Sequence, residues 1–156
     1  MAVPPPDVNF TFSPTELQEL KAYGEVRRHE EGDLLVREGD RDVDCLVTLS
    51  GYTDIIAQTP EGQKRLGWME AGQFAGDITV LTGQASLVEV RMGQAGEVLH
   101  IPHDSFRRIL VENSGLSDVF VRTFTARRQF GHESGFGAVV VIGSSYDRDV
   151  FALRIS

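Results

Sequence analysis

Between Glu25 and Pro102 a glycine interrupts the chain every few residues, and the stretches between are short and rich in β-branched or apolar side chains. Such stretches are too brief for helices of ordinary length, and glycine supplies the positive φ that tight turns use. The runs cover residues 34–37, 45–49, 52–58, 64–69, 87–92 and 97–101. The turn positions are Gly32, Gly39, Gly51, Gly62, Gly72, Gly76, Gly83, Gly93 and Gly96. This texture predicts a mainly β domain, an antiparallel roll or jelly roll of about eight strands.

Helices flank the roll. Ser13-Pro14-Thr15-Glu16 offers a capping serine, a proline at the first helical position and a glutamate that completes a capping box. With Phe12 and Leu17 spaced as a hydrophobic staple and Gly24 placed for a left-handed end, a helix over 14–23 follows. Ahead of it, the prolines at 4–6 make residues 1–12 read as a loose, extended arm. After Pro102, Asp104 is placed to cap a helix over 105–111, and a longer helix is expected over 116–130, ended by Gly131. Leu116, Val119, Phe120, Thr123, Phe124, Arg127 and Phe130 recur at three- and four-residue spacing, with the stem of Arg127 alongside. That seam faces either the roll or a twin helix. In the second case Val119, Phe120, Thr123 and Phe124 would join two copies into a homodimer.

The roll domain is thus expected over 13–131, followed by a linker over 132–136. The unbroken apolar run at 138–142, closed by Gly143-Ser144-Ser145, has the pattern of a buried parallel strand leading into a loop. Residues 137–156 therefore read as the first strand of a truncated α/β segment, because one strand and half a helix cannot bury their own faces. On this reading the chain is the front part of a longer protein.

Charge narrows the partners. Lys and Arg number 15 against 23 Asp and Glu, a formal charge of -8 that repels phosphate backbones and anionic lipid. No nucleic-acid or membrane partner is expected, and no apolar run approaches the roughly 20 residues of a bilayer span. Arg127-Arg128 suits the negative end of a helix dipole better than a nucleic-acid patch. A single cysteine, Cys45, excludes an internal disulfide and sits in a strand beside Leu46 and Val47, where a core thiol is expected. A cytoplasmic location is the default that follows. The histidines at 29, 100, 103 and 132 lack the H-x-H pattern that sets two metal ligands on one strand face, so no metal is expected. No nucleophile-base pair or cofactor loop is visible, and catalysis by this segment has no support.

Three glycine blocks stand in order: Glu31-Gly32-Asp33-Leu34-Leu35-Val36-Arg37-Glu38-Gly39-Asp40, Leu46-Val47-Thr48-Leu49-Ser50-Gly51, and Ala71-Gly72-Gln73-Phe74-Ala75-Gly76-Asp77-Ile78. With the flanking helices, these blocks resemble the cyclic nucleotide-binding domain shared by the catabolite activator family, protein kinase A regulatory subunits and gated channels. The resemblance implies a phosphate-binding cassette running from Phe74 through Gly76, Asp77 and Ile78 to Ser86 and Leu87. In the family an acid binds the ribose hydroxyl and an arginine pairs with the cyclic phosphate. Asp77 stands at the acid's position and can equally be read as the cap of a short helix. Nine residues on, Ser86 stands at the arginine's position and Leu87 where a hydroxyl residue is common. Arg91 alternates with Val88 and Val90 and does not reach the cassette. The resemblance therefore implies a regulatory sensor domain that takes a cyclic nucleotide or other small anion weakly, or a binding-incompetent roll serving as an interaction module. A transcription factor of the catabolite activator type would need a helix-turn-helix where this chain has a strand.

A second, shorter resemblance lies in the tail. A roll followed by a linker and the run Val139-Val140-Val141-Ile142-Gly143-Ser144 is similar to the front of bacterial fusions that continue into a flavin-dependent reductase of the thioredoxin-disulfide reductase type. It implies a downstream domain holding FAD and NADPH. Within this chain Gly135-Phe136-Gly137 precedes its strand, so it is no dinucleotide loop, and no cofactor is expected here.

Overall fold

The computed structural model describes residues 11–133 and 145–146, with side chains over 11–76 and 79–126. Helix α1 (Pro14–Leu20) continues as a 3-10 turn, Lys21–Tyr23. Strands β1 (Glu25–His29), β2 (Leu34–Val36), β3 (Cys45–Thr48), β4 (Tyr52–Thr59), β5 (Gly62–Met69) and β6 (Phe74–Ala75) lead to α2 (Asp77–Thr82). Then come β7 (Glu89–Gln94), β8 (Gly96–Ile101), α3 (His103–Glu112) and α4 (Ser114–Glu133). The eight strands form two antiparallel sheets, ordered β1-β8-β3-β6 and β2-β7-β4-β5, and a two-residue strand β9 (Ser145–Tyr146) adds to the outer edge of β5. The mainly β roll with flanking helices is as the sequence implies. The expected strand at 138–142, the remainder of 137–156 and the linker residues 134–136 lie outside the described residues, apart from β9. Among the described residues no helix is long and apolar enough to cross a membrane.

The capping box at α1 forms in full: Ser13 Oγ accepts from the Glu16 amide at 3.2 Å, and Glu16 Oε1 accepts from the Ser13 amide at 2.9 Å. Several expectations are corrected. Gly24 is extended, with φ of -156°, and its role is close approach, since a Cβ there would meet the His100 carbonyl of β8. Gly93 and Gly96 lie inside strands without positive φ. They are small because Tyr52 lies over Gly93 and the Ser50 backbone presses on Gly96. The other seven turn glycines do take positive φ. Phe12 is no part of a loose arm: it is 2% exposed, and its amide donates to the Gly72 carbonyl. Helix α3 starts at His103 behind Pro102, with Asp104 in the first turn and no side-chain cap. Helix α4 starts two residues early because Asn113 Oδ1 accepts from the Leu116 amide at 3.1 Å. It also runs through Gly131 and His132, a glycine costing an interior turn only about 1 kcal/mol. Strands β1 and β6 carry no hydrophobic alternation long enough to read from sequence.

Strand β8 divides two cores. Val98 joins Val36, Leu46, Ile55, Met69 and Met92 between the sheets. Leu99 and Ile101, on the opposite face, join Cys45, Val47 and the helices. Phe120 of α4 is the hub of this second core, with ring centroids 4.7 Å from Phe74, 4.7 Å from Phe106 and 5.0 Å from Phe12. The candidate dimer residues pack on this chain's own roll. Val119, Phe120 and Thr123 are buried, and Phe124 packs against the core between the sheets. Leu116, Val119 and Phe120 needed a partner, and the roll's outer face supplies it.

Candidate functional site

The structure brings Gly76, Ser86 and Leu87 of the expected cassette around one pocket, and sets Phe74 in the helix-covered core. Phe74 opens β6 as a core residue, and Gly76 turns the chain with φ of 87° into α2. Only glycine fits here, since a Cβ would stand 2.7 Å from the Asp44 carbonyl oxygen. The N-cap position is Gly76, so Asp77 is the first helical residue and not the cap. The side chains of Asp77 and Ile78 lie outside the described residues.

Ser86 is held from three sides. Its amide donates to the Asp40 carbonyl at 2.7 Å and its carbonyl accepts from the Gly39 amide at 2.7 Å, so the first glycine block is stitched to the cassette. Its Oγ donates to the Val88 carbonyl at 2.7 Å and accepts from the Val88 amide at 3.3 Å. These bonds begin β7 at Glu89 and leave Leu87 in the loop, 49% exposed. The pocket that α2, Ser86 and the inner strands enclose has a volume of about 30 Å³. Val36, Val43, Ala75, Thr79, Val88 and Val90 line it, with no charged side chain among the described lining residues. About one water's worth of space is left, far below the roughly 300 Å³ at which small-molecule sites begin. Arg91 points away, its Nη2 2.7 Å from Glu89 Oε2.

Two features have no local signature in the sequence. Arg41 Nη1 donates to the Gly83 carbonyl at 3.1 Å, which holds a guanidinium at the end of α2 outside the pocket. Its only sequence signal is its place just after Asp40. At the edge of the β1-β8-β3-β6 sheet, His29 of β1 and His100 of β8 meet with their Nε2 atoms 2.8 Å apart. Asp33 lies 3.7 Å from His29 Nδ1, and Asp44 lies 3.8 Å from His100 Nδ1. Burial, then the charges of Arg27 and His29, push the His100 imidazole down to about 4. Burial also raises the Asp44 carboxyl. The two Nε2 atoms are within hydrogen-bonding distance, and burial favours the neutral form of the His100 ring. Their 71-residue separation hides the pair from any local pattern. Among the described residues no group of three or more His, Cys, Asp or Glu is placed to hold a metal ion. Cys45 is fully buried in the helix-covered core.

Comparison with known proteins agrees with this geometry. Residues 26–113 match the family model described as the cyclic nucleotide-binding domain. Among solved structures, the Thermus thermophilus catabolite activator protein is similar with a TM-score of 0.67 and 16% identity. That match covers 80% of this chain and 59% of the other, so this chain spans under two thirds of that protein's length. A transcriptional regulator from Thermotoga maritima is similar with a TM-score of 0.69 and 20% identity, over 78% of this chain and 95% of the other. The sensor domain of the transcriptional regulator DNR from Pseudomonas aeruginosa is similar with a TM-score of 0.59 and 19% identity, over 83% and 85% of the two chains. At these identities the likeness is one of fold. No curated protein matches the chain.

Proposed function

The chain belongs to the cyclic nucleotide-binding domain family, and from that premise we propose that it is a regulatory sensor domain whose inner pocket has lost micromolar affinity for cyclic nucleotides. One observation carries the reading. Ser86, at the position that the resemblance gives to the phosphate-binding arginine, has its hydroxyl committed to Val88, and the pocket beside it holds about 30 Å³ without a cation among its described lining residues. A cyclic phosphate entering there would lose its hydration with no guanidinium to offset the cost. Two charge-assisted bonds contribute about 3–6 kcal/mol, or roughly two to four decades of affinity.

Titration calorimetry with cyclic AMP and cyclic GMP tests this: neither binds in the micromolar range, and a micromolar Kd for either overturns the proposal. Ser86→Arg restores affinity if lost charge is the main cause. If the variant folds and gains nothing, pocket closure dominates. The tail's resemblance supports a wider proposal, that the domain precedes a thioredoxin-disulfide reductase-type segment that holds FAD and NADPH. The full reading frame tests it: a downstream G-x-G-x-x-G and C-x-x-C would sustain it, and their absence would end it.

A further inference from the structure

We infer that the open groove between α2 and α3 is a binding site for a small amphipathic organic anion, of the class of a medium-chain carboxylate. The groove has a volume of about 610 Å³, against about 30 Å³ for the inner pocket on the other side of α2. Ligand sites commonly fall between roughly 300 and 1,000 Å³, so α2 separates a space too small for a ligand from one of ordinary size.

The two walls carry positive charge from distant parts of the chain. On one side Arg41 is fixed by its bond to the Gly83 carbonyl. On the other, α3 presents Arg107, one turn on from His103. Arg107 is exposed and has no ion-pair partner among the described residues. Asp42 is the one acid among the described lining residues, so two guanidiniums face a single carboxylate, while His103 Nδ1 lies 3.5 Å from the Asp104 carboxylate outside the groove. In a chain of net charge -8 this is a local reversal of sign.

Between the cationic rims the groove is apolar. Phe106 forms its floor, and Leu81 and Val111 stand at its lips, 36% and 86% exposed. An inorganic anion would leave those lips in water, and a neutral hydrophobe would leave the arginines unused. An alkyl chain with an anionic head satisfies both. The inference does not depend on whether the inner pocket takes a nucleotide, since Arg41, Leu81, Arg107 and Val111 do not line that pocket.

The test is amide chemical-shift mapping of the whole ¹⁵N-labelled chain with octanoate, kept below its micelle concentration, and with octanol as the neutral counterpart. Octanoate is expected to shift amides over 79–83 and 103–111 saturably, and octanol to bind about tenfold more weakly. Arg41→Gln and Arg107→Gln should each weaken octanoate by about three- to fivefold, the scale of one exposed charge pair, with melting temperature unchanged. Absence of saturable shifts, equal binding of octanol, or shifts confined to other surfaces would overturn the assignment. Sedimentation of the chain with phosphatidylglycerol vesicles, without octanoate binding, would make the face a membrane contact and overturn it too.

Discussion

The two sheets of the roll share one core but live in different surroundings. The β1-β8-β3-β6 sheet is covered on its outer face by α1, α3 and α4, and Val47, Phe74, Leu99 and Ile101 are buried there against Phe106, Ile109, Leu116 and Phe120. The β2-β7-β4-β5 sheet presents Tyr52, Asp54, Ile56, Glu89 and Arg91 on its outer face, all half-buried. The first sheet is held by apolar contacts that fix atoms in place. The second carries polar and charged side chains joined in ion pairs, Arg65 with Asp54 and Arg91 with Glu89. Position in the sheet, more than residue type, should therefore decide what a substitution costs.

The largest effect belongs to the helix-covered side. Phe120→Ala removes the ring that joins three other aromatics and should cost about 3–5 kcal/mol by urea unfolding. Unchanged stability accompanied by a dimer falling to monomer would show that Phe120 serves a seam between chains, and the comparison would break.

A matched pair of glycines sharpens it. At Gly96 a new Cβ meets the backbone of Ser50, which cannot step aside, whereas at Gly93 it meets the ring of Tyr52 and the Asp54 carboxylate, ends of side chains on the open sheet. Gly96→Ala should cost toward the upper end of about 1–3 kcal/mol and Gly93→Ala less than about 1 kcal/mol. Equal costs would mean that the open sheet is as tightly fixed as the covered one.

His100 makes the covered sheet the pH-sensitive one. His100 titrates near 4 in the folded chain against an ordinary 6.5, so between those values the unfolded chain binds more protons. Stability is complete above pH 6.5 and is lost as pH falls toward 4, with about 2 kcal/mol gone between pH 7 and pH 5. Groups facing the pair include Glu25, Arg27, Asp33 and Asp44, and of these the raised Asp44 carboxyl opposes the trend, since it binds its proton more readily in the folded chain. His100→Gln should flatten the pH 5–7 part of the stability curve. An unchanged slope would place the sensitivity elsewhere.

The smallest effect is expected on the open face. Arg65 lies 4.1 Å over the Trp68 ring and 2.7 Å from Asp54 Oδ1, with its side chain 43% exposed. Arg65→Ala should cost about 0.5–1 kcal/mol, and less in high salt. A loss comparable to that at Phe120 would refute the contrast between the sheets.

What the sequence by itself determined is what neighbouring residues determine. The capping box at Ser13 and Glu16, the left-handed turns at Gly39, Gly51, Gly72 and Gly76, and the apolar period of α4 each rest on residues a few positions apart, and each is legible in the order of side chains alone. Of the candidate site, the turn at Gly76 into α2 is legible in the same way. Tertiary structure decided which face of α4 met what, because a helical stripe states that it needs a partner without saying which one. It decided that Gly24, Gly93 and Gly96 serve close approach and not turns, since that depends on what lies across the sheet. Pairing β1 with β8 brought His29 to His100, and the loop after β2 carried Arg41 to the end of α2. Such contacts depend on strand register and packing across the whole fold, which no local pattern of side chains encodes.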